Sequence, residues 1–176
     1  MRRTFLSVIV MATTVMLAAT AAIAATITCT GGFCEGTPER DEITGSSSAD
    51  SIFARGSVDL VEALGGNDFV QLNLGGTPVD MEFVEGGIGS DELRGGRGSD
   101  QLDDFEPANI DDTDLLFGEG NDDFLYAVDG DSNDTLRGGW GKDDCYGDPG
   151  DEIVNCEGEN LTPNFVLQEP VQEPGF

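Results

Sequence analysis

The stretch Gly86–Leu102 reads GGIGSDELRGGRGSDQL and contains the same nonapeptide twice. Each copy has a glycine-rich run, an acidic residue at its sixth position and a leucine at its eighth. Asp91 and Asp100 are therefore nine residues apart, and so are Leu93 and Leu102. Because the same spacing continues in both directions, the stretch indicates a repeat array and not a pair of isolated turns.

The repeat register extends over about eleven turns, with short insertions before Glu82, Thr113 and Asp134. Its sixth positions are Asp50, Asp59, Asp68, Glu82, Asp91, Asp100, Thr113, Asp122, Asp134, Asp143 and Glu152. Its eighth positions are Ile52, Val61, Val70, Val84, Leu93, Leu102, Leu115, Phe124, Leu136, Cys145 and Val154. An apolar residue between polar neighbours is typical of a short strand with one inward side chain. The sequence therefore predicts an all-β fold, a parallel β-roll or β-helix solenoid of nonapeptide repeats, over residues 45–156.

A glycine-rich turn that ends in an acidic residue is suited to holding a hard cation. Glycine permits positive φ and leaves backbone carbonyls unshielded, so a short turn can wrap closely around an ion. Calcium takes six to eight oxygen ligands from carboxylates and carbonyls alike. Two turn–strand units make one coil of about eighteen residues, so consecutive turns should lie on opposite edges of the roll, and turns one coil apart should face each other.

Over residues 45–154 these motifs resemble the hemolysin-type calcium-binding (RTX) repeat family. In that family each ion lies between a turn and the turn two further on, held by the sixth-position aspartate and by carbonyls of the early turn residues. The resemblance implies several bound Ca²⁺ ions and the facing pairs Asp50–Asp68, Asp68–Asp91, Asp100–Asp122 and Asp122–Asp143. The metal-binding positions that it implies are Asp50, Asp68, Gly86, Gly87, Gly89, Asp91, Gly95, Gly96, Gly98, Asp100, Gly118, Gly120, Asp122, Asp134, Gly138, Gly139, Gly141 and Asp143.

Not every turn matches that motif equally. The turns at 86–91 and 95–100 match it fully, and the turn at 138–143 matches it largely. The turn before Asp50 has serines in place of glycines, and Thr113 cannot supply a carboxylate. Ion sites at those two turns are therefore less well specified by the sequence.

The first 24 residues read as a signal peptide. Arg2 and Arg3 precede a long apolar run, and Ala22-Ile23-Ala24 is an A-x-A cleavage signal. Export by the general secretory or the twin-arginine route is predicted, with a secreted, extracellular product and no membrane span. The formal net charge is −27, and removal of the two arginines of this segment takes it to −29. Such acidity excludes a nucleic-acid partner.

Four cysteines agree with an oxidising compartment. Cys29 and Cys34 lie in a predicted N-terminal cap of residues 25–44, and Cys145 and Cys156 bracket the last predicted turn. Sequence leaves three pairings open; we favour the two local ones, because disulfides at the two ends would protect exposed strand edges there. Residues 157–176 contain several prolines and no strand pattern, which predicts a flexible tail.

The chain offers little for catalysis. Histidine is absent, and no G-x-S-x-G elbow or phosphate-binding loop occurs. We therefore expect no enzyme but an exported calcium-binding β-roll whose folding is driven by ions bound between successive turns. The alternative is an extracellular adhesion or matrix scaffold, which would contact a cell-surface or polysaccharide partner through the insertions Asn73–Asp80 and Asp104–Asp112.

Overall fold

The structure, a computed structural model, describes residues 25–73, 81–105 and 111–161. The predicted signal peptide at 1–24 and residues 162–176 of the predicted tail lie outside the described residues. All regular structure in the described ranges is β-strand, so no helix there could cross a membrane. The strands are β1 (Ala25–Thr28), β2 (Gly32–Glu35), β3 (Asp41–Ser46), β4 (Asp50–Arg55), β5 (Leu60–Leu64), β6 (Phe69–Asn73), β7 (Phe83–Glu85), β8 (Glu92–Arg97), β9 (Gln101–Asp103), β10 (Leu115–Gly120), β11 (Phe124–Ala127), β12 (Thr135–Trp140), β13 (Asp144–Gly147), β14 (Glu152–Val154) and β15 (Gly158–Leu161).

The strands form two parallel sheets, one from the odd-numbered and one from the even-numbered strands. Each strand pairs with the strand two before it and the strand two after it, so each coil contributes one strand to each sheet. The register keeps equivalent repeat positions aligned: Val61 pairs with Val84, and Leu116 pairs with Leu136. This arrangement confirms the predicted parallel β-solenoid.

The core consists mainly of one inward side chain from each strand, stacked in two columns, and Leu72 and a few alanines add to it. Strand residues alternate between buried and more exposed positions, as a pleated strand requires. The odd sheet contributes Ile43, Val61, Val84, Leu102, Leu125 and Cys145, and the even sheet contributes Cys34, Ile52, Val70, Leu93, Leu116 and Leu136. Because the core is only one side chain deep on each sheet, most other side chains of the roll remain near the surface.

The predicted register is wrong by one residue in three turns. Leu116 and Leu125 occupy the inward positions assigned to Leu115 and Phe124, and Ile153 pairs with Leu136 in place of Val154. Acidic and apolar doublets explain the error, because Leu115-Leu116 and Asp122-Asp123 allow two adjacent registers that both satisfy the repeat pattern.

Two disulfides close the roll near its ends. Cys29 is bonded to Cys34, with Cα atoms 5.8 Å apart, and Cys145 to Cys156, with Cα atoms 5.9 Å apart. These distances are ordinary for disulfides, and the pairing is the favoured local one. The predicted cap at 25–44 contributes β1, β2 and most of β3 to the two sheets. At the other end β15 extends the odd sheet into the segment predicted as a tail.

Candidate metal centres

The turns between strands carry inward-pointing acidic residues along both edges of the roll. We call the edge whose turns lead from an odd to an even strand the first edge, and the opposite one the second edge. The first edge carries Asp50, Asp68, Asp91, Asp114 and Asp134, and the second carries Asp41, Asp59, Glu82, Asp100, Asp123 and Asp143. These residues, called the ladder carboxylates below, are at most 4% exposed.

One oxygen of each ladder carboxylate links two neighbouring coils. On the first edge the backbone N–H groups of Asp50 and Asp68 donate to Oδ1 of Asp68 and Asp91, both at 2.7 Å. On the second edge the N–H of Asp100 donates to Asp123 Oδ1 at 2.8 Å, and that of Asp123 donates to Asp143 Oδ1 at 2.9 Å. The carboxylates therefore hold the coils in register through charge-assisted hydrogen bonds.

The second carboxylate oxygen is buried and receives no hydrogen bond at several ladder positions. Among these atoms are Oδ2 of Asp59, Asp68, Asp123, Asp134 and Asp143. Burial, followed by the charges of neighbouring carboxylates, raises the pKa of Asp123 to about 8 and that of Asp134 to about 8. Burial also raises the pKa of Asp59 to about 6. Buried carboxylates are normally paired or bound to metal, so the ladders lack a counter-charge.

Among the described residues, Arg40 acts electrostatically on the ladder residue Asp59, and three other arginines form ion pairs away from the ladders. The ion pairs formed there join Arg55 to Glu35, Arg94 to Glu92 and Glu119, and Arg137 to Glu152. None of these acids is a ladder carboxylate, and all three arginines lie on strands of the even sheet. The guanidinium groups of these three arginines therefore pair with acids on the outer surface, away from the buried carboxylate oxygens.

The glycine at the first position of a turn leaves room beside the buried carboxylate. A Cβ built on Gly95 would lie 2.8 Å from Asp100 Oδ2 and 3.0 Å from the carbonyl oxygen of Gly118. A carboxylate oxygen and a carbonyl oxygen from the next coil thus converge on the space that a side chain would fill. Converging hard oxygen ligands fit Ca²⁺.

The second position of several turns adopts a positive φ whether or not it is glycine. Gly87 has φ +94°, and Leu64 and Glu119 have φ +78° and +73° at the equivalent position. This conformation is unfavourable for residues with a side chain. At these two turns the fold therefore imposes the glycine-type conformation on a residue that is not glycine.

Most of the predicted metal-binding residues lie on the ladders or in the turns beside them, and Asp122 is the predicted aspartate that does not. Asp50 faces Asp68, and Asp68 faces Asp91, as predicted. Asp122, however, is exposed, and its Oδ1 accepts the Lys142 N–H at 2.9 Å. Asp123 takes its place between Asp100 and Asp143 because of the one-residue shift in register. The predicted residues Asp134 and Asp143 are ladder residues. The predicted glycines lie in the turns beside the ladders; they are Gly86, Gly87, Gly89, Gly95, Gly96, Gly98, Gly118, Gly120, Gly138, Gly139 and Gly141.

Several buried acids escaped the sequence prediction. Asp41 lies nine residues before Asp50, so extending the period by one step would have found it. Asp114 and Asp123 required the correct choice within a doublet. Asp104 and Asp129 carry no repeat signal, yet they are 0% and 6% exposed.

Three groups of carboxylates in the described ranges are compact enough to hold a cation, and all lie on the first edge. They are Asp91–Asp104–Asp114, Asp112–Asp114–Asp129 and Asp129–Asp131–Asp134, each with oxygens within 4.8 Å of one another. Shared residues join the three groups into one row. In the sequence, residues 104–114 and 127–134 contribute most of them and lack the glycine motif, so the candidate ligands here are side-chain oxygens and not carbonyls of a glycine-rich turn.

The model of the RTX calcium-binding nonapeptide repeat matches the chain in four copies, over residues 35–70, 81–103 and 126–151. The chain belongs to the RTX calcium-binding repeat family. The matches begin after Cys34 and end before Cys156, and they leave residues 71–80 and 104–125 unmatched. No curated protein and no solved structure shows a significant match.

Proposed function

We propose that this RTX roll is an exported calcium-binding protein whose folding is driven by Ca²⁺ bound between successive turns. The observation that carries the proposal is the row of buried ladder oxygens that receive no hydrogen bond. The residues proposed as ligands are the ladder carboxylates and the carbonyls of the glycine-rich turns. No catalytic step is proposed for the chain.

Without ions, the folded state carries a large electrostatic cost. Ladder residues one coil apart are close neighbours: the backbone N–H of one donates a hydrogen bond to the carboxylate of the next, as Asp123 does to Asp143. Like charges at this separation, removed from water, repel strongly. A divalent cation between two turns converts that repulsion into attraction.

The apolar core is too thin to offset this cost alone. Each turn–strand unit buries one medium-sized side chain, such as Val61 or Leu102, and little else that is apolar. Ordering each backbone residue costs about 1–2 kcal/mol, and glycine loses the most freedom. Binding free energy that is available only to the folded form would therefore decide the equilibrium.

Calcium fits the ladders better than magnesium does. Carboxylates and carbonyls on a flexible turn suit the larger ion with its six to eight ligands, whereas Mg²⁺ requires a tight octahedron and keeps its water. Export agrees with two disulfides in so small a roll, because such bonds persist in oxidising compartments.

Ion counting tests calcium binding itself. Native mass spectrometry of the chain from residue 25 onward, titrated with Ca²⁺ and separately with Mg²⁺, should show several tightly held calcium ions and few magnesium ions. Calcium adducts no more numerous than magnesium adducts would contradict the proposal.

A second candidate, contact with a surface or polysaccharide partner, is supported by an aromatic row on the even sheet. The rings of Phe33, Phe53 and Phe69 follow one another at 5.5 and 5.6 Å, and Phe33 is 69% exposed. Exposed aromatic side chains are common at contact surfaces. A pull-down on cells or polysaccharide with calcium present tests this candidate: Phe33→Ser should reduce retention, and equal retention of both proteins would refute a role for the row.

A further inference from the structure

Asp104 occupies a position that most coils fill with a small residue. It follows the inward Leu102 by two residues, and the equivalent places in other coils hold Ala54, Ala63, Gly95 and Gly118. Its side chain is nevertheless fully buried, at 0% exposure. The matched RTX repeats end at residue 103 and resume at 126, so this turn is not a repeat turn.

The Asp104 carboxylate points between two ladder residues of the first edge. Its Oδ1 accepts the Gly87 N–H at 3.1 Å, and its Oδ2 is buried and receives no hydrogen bond from an N–H group. Asp114 Oδ2 is likewise buried and receives no hydrogen bond from an N–H group. Burial, followed by a side-chain hydrogen bond with Asp114, raises the pKa of Asp104, so without an ion the two carboxyl groups can share a proton. Oxygens of Asp91, Asp104 and Asp114 lie within 4.8 Å of one another.

The coil below makes room for this extra carboxylate. A Cβ on Gly86, the residue directly beneath Asp104, would lie 2.5 Å from Asp104 Oδ1 and 2.8 Å from Asp91 Oδ2. Only glycine therefore fits at position 86 while both carboxylates keep their places. Three carboxylates and the space between them form a cradle for one ion.

We infer that Asp104 converts the facing ladder pair Asp91–Asp114 into a three-carboxylate site that binds one Ca²⁺ more tightly than the glycine-turn sites and accepts a trivalent lanthanide in its place. The inference rests on the proposed function to the extent that the roll must bind calcium at all. Affinity of oxygen sites for calcium rises with the number of charged ligands and with rigidity. A glycine-turn site gains its additional ligands from neutral carbonyls, whereas this site gains a third charge from Asp104.

A pair of matched variants tests the assignment. Asp104→Asn removes the charge but keeps an acceptor for the Gly87 N–H. Asp103→Asn makes the same charge change one residue earlier, on a strand position that pairs with Glu85 and Tyr126. By calorimetric titration with Ca²⁺, Asp104→Asn should lose the tightest binding step, its dissociation constant rising on the order of tenfold or more. Asp103→Asn should keep that step.

The outcomes separate this inference from the proposed function. If no protein in the series binds calcium, the proposed function fails. If all bind and the two variants titrate alike, the calcium roll stands, and the Asp104 site is refuted in favour of a proton shared between Asp104 and Asp114.

Lanthanide exchange on the unsubstituted protein gives an independent result should Asp104→Asn fail to fold. Added to the calcium-loaded chain, the first equivalent of Tb³⁺ should replace one Ca²⁺ per molecule, as counted by native mass spectrometry, before any other ion is displaced. Replacement spread evenly over all bound ions from the first addition would overturn the inference.

Discussion

Replacing Asp123 by asparagine separates the cost of a buried carboxylate from its value as an ion ligand. Asp123 is 4% exposed, and its pKa is raised from 3.8 to about 8 by burial and by the charges of Asp100 and Asp143. Since the folded state then holds the proton more tightly than the unfolded chain, stability is lost as the pH rises from 3.8 towards 8. At about 1.4 kcal/mol per pKa unit, the loss reaches an upper limit of about 4 kcal/mol at pH 7.

Asparagine cannot titrate, and it keeps an oxygen for the Asp100 N–H. In chelator at pH 7 the chain is expected to be unfolded, so the comparison uses an osmolyte that favours the folded state, such as trimethylamine N-oxide. Asp123→Asn should fold at a lower osmolyte concentration than the unsubstituted chain, with a folding free energy more favourable by about 2–4 kcal/mol. In saturating calcium the sign should reverse, because the variant lacks a charged ligand, and the calcium midpoint should rise. Asp122→Asn, one residue away and exposed, should change stability by less than about 0.5 kcal/mol in either condition. A larger effect at Asp122 than at Asp123 would refute the register and the reasoning built on it.

Three further predictions follow from burial, packing and turn geometry. In chelator, the osmolyte concentration needed to fold the chain should rise from about pH 4 to pH 8, because ladder carboxylates with raised pKa values destabilise the folded state as they ionise, whereas calcium should flatten this dependence; an osmolyte midpoint that is independent of pH would contradict it. In calcium, Leu116→Ala should cost about 2–5 kcal/mol in urea unfolding, and the half-buried Leu115→Ala should cost clearly less; equal costs would argue against the assigned core. Gly95→Ala should raise the calcium midpoint in titrations because its methyl group would lie 2.8 Å from a ladder carboxylate oxygen, while Gly120→Ala, whose Cβ would come no closer than 3.6 Å to its neighbours, should not.

The fold follows from the sequence because a nine-residue period leaves few alternatives. An inward apolar residue two places after an acidic one fixes which side chains stack, and alternation of the turns between two edges then gives two parallel sheets. Both disulfides could also be placed, since each cysteine pair is local and lies near one end of the repeat array. These features depend on short-range patterns that sequence displays directly.

The register at doublets and the non-repeat acids needed the structure. Leu115-Leu116 and Asp122-Asp123 satisfy the pattern in two ways, and only packing against the neighbouring coils chooses between them. Asp104 is set by a different rule, because it lies where the repeat has a small residue and approaches Asp91 and Asp114 only through the stacking of coils. No spacing along the chain signals such a contact.

Far-UV circular dichroism under a calcium titration tests most directly whether ion binding and folding are one equilibrium. The chain in chelator should give a coil-like spectrum, change to a β spectrum over a narrow calcium range, revert when chelator is added again, and respond far less to magnesium. A β spectrum of the same intensity in excess chelator would show that the core and the disulfides suffice for folding, and would contradict the calcium-driven account.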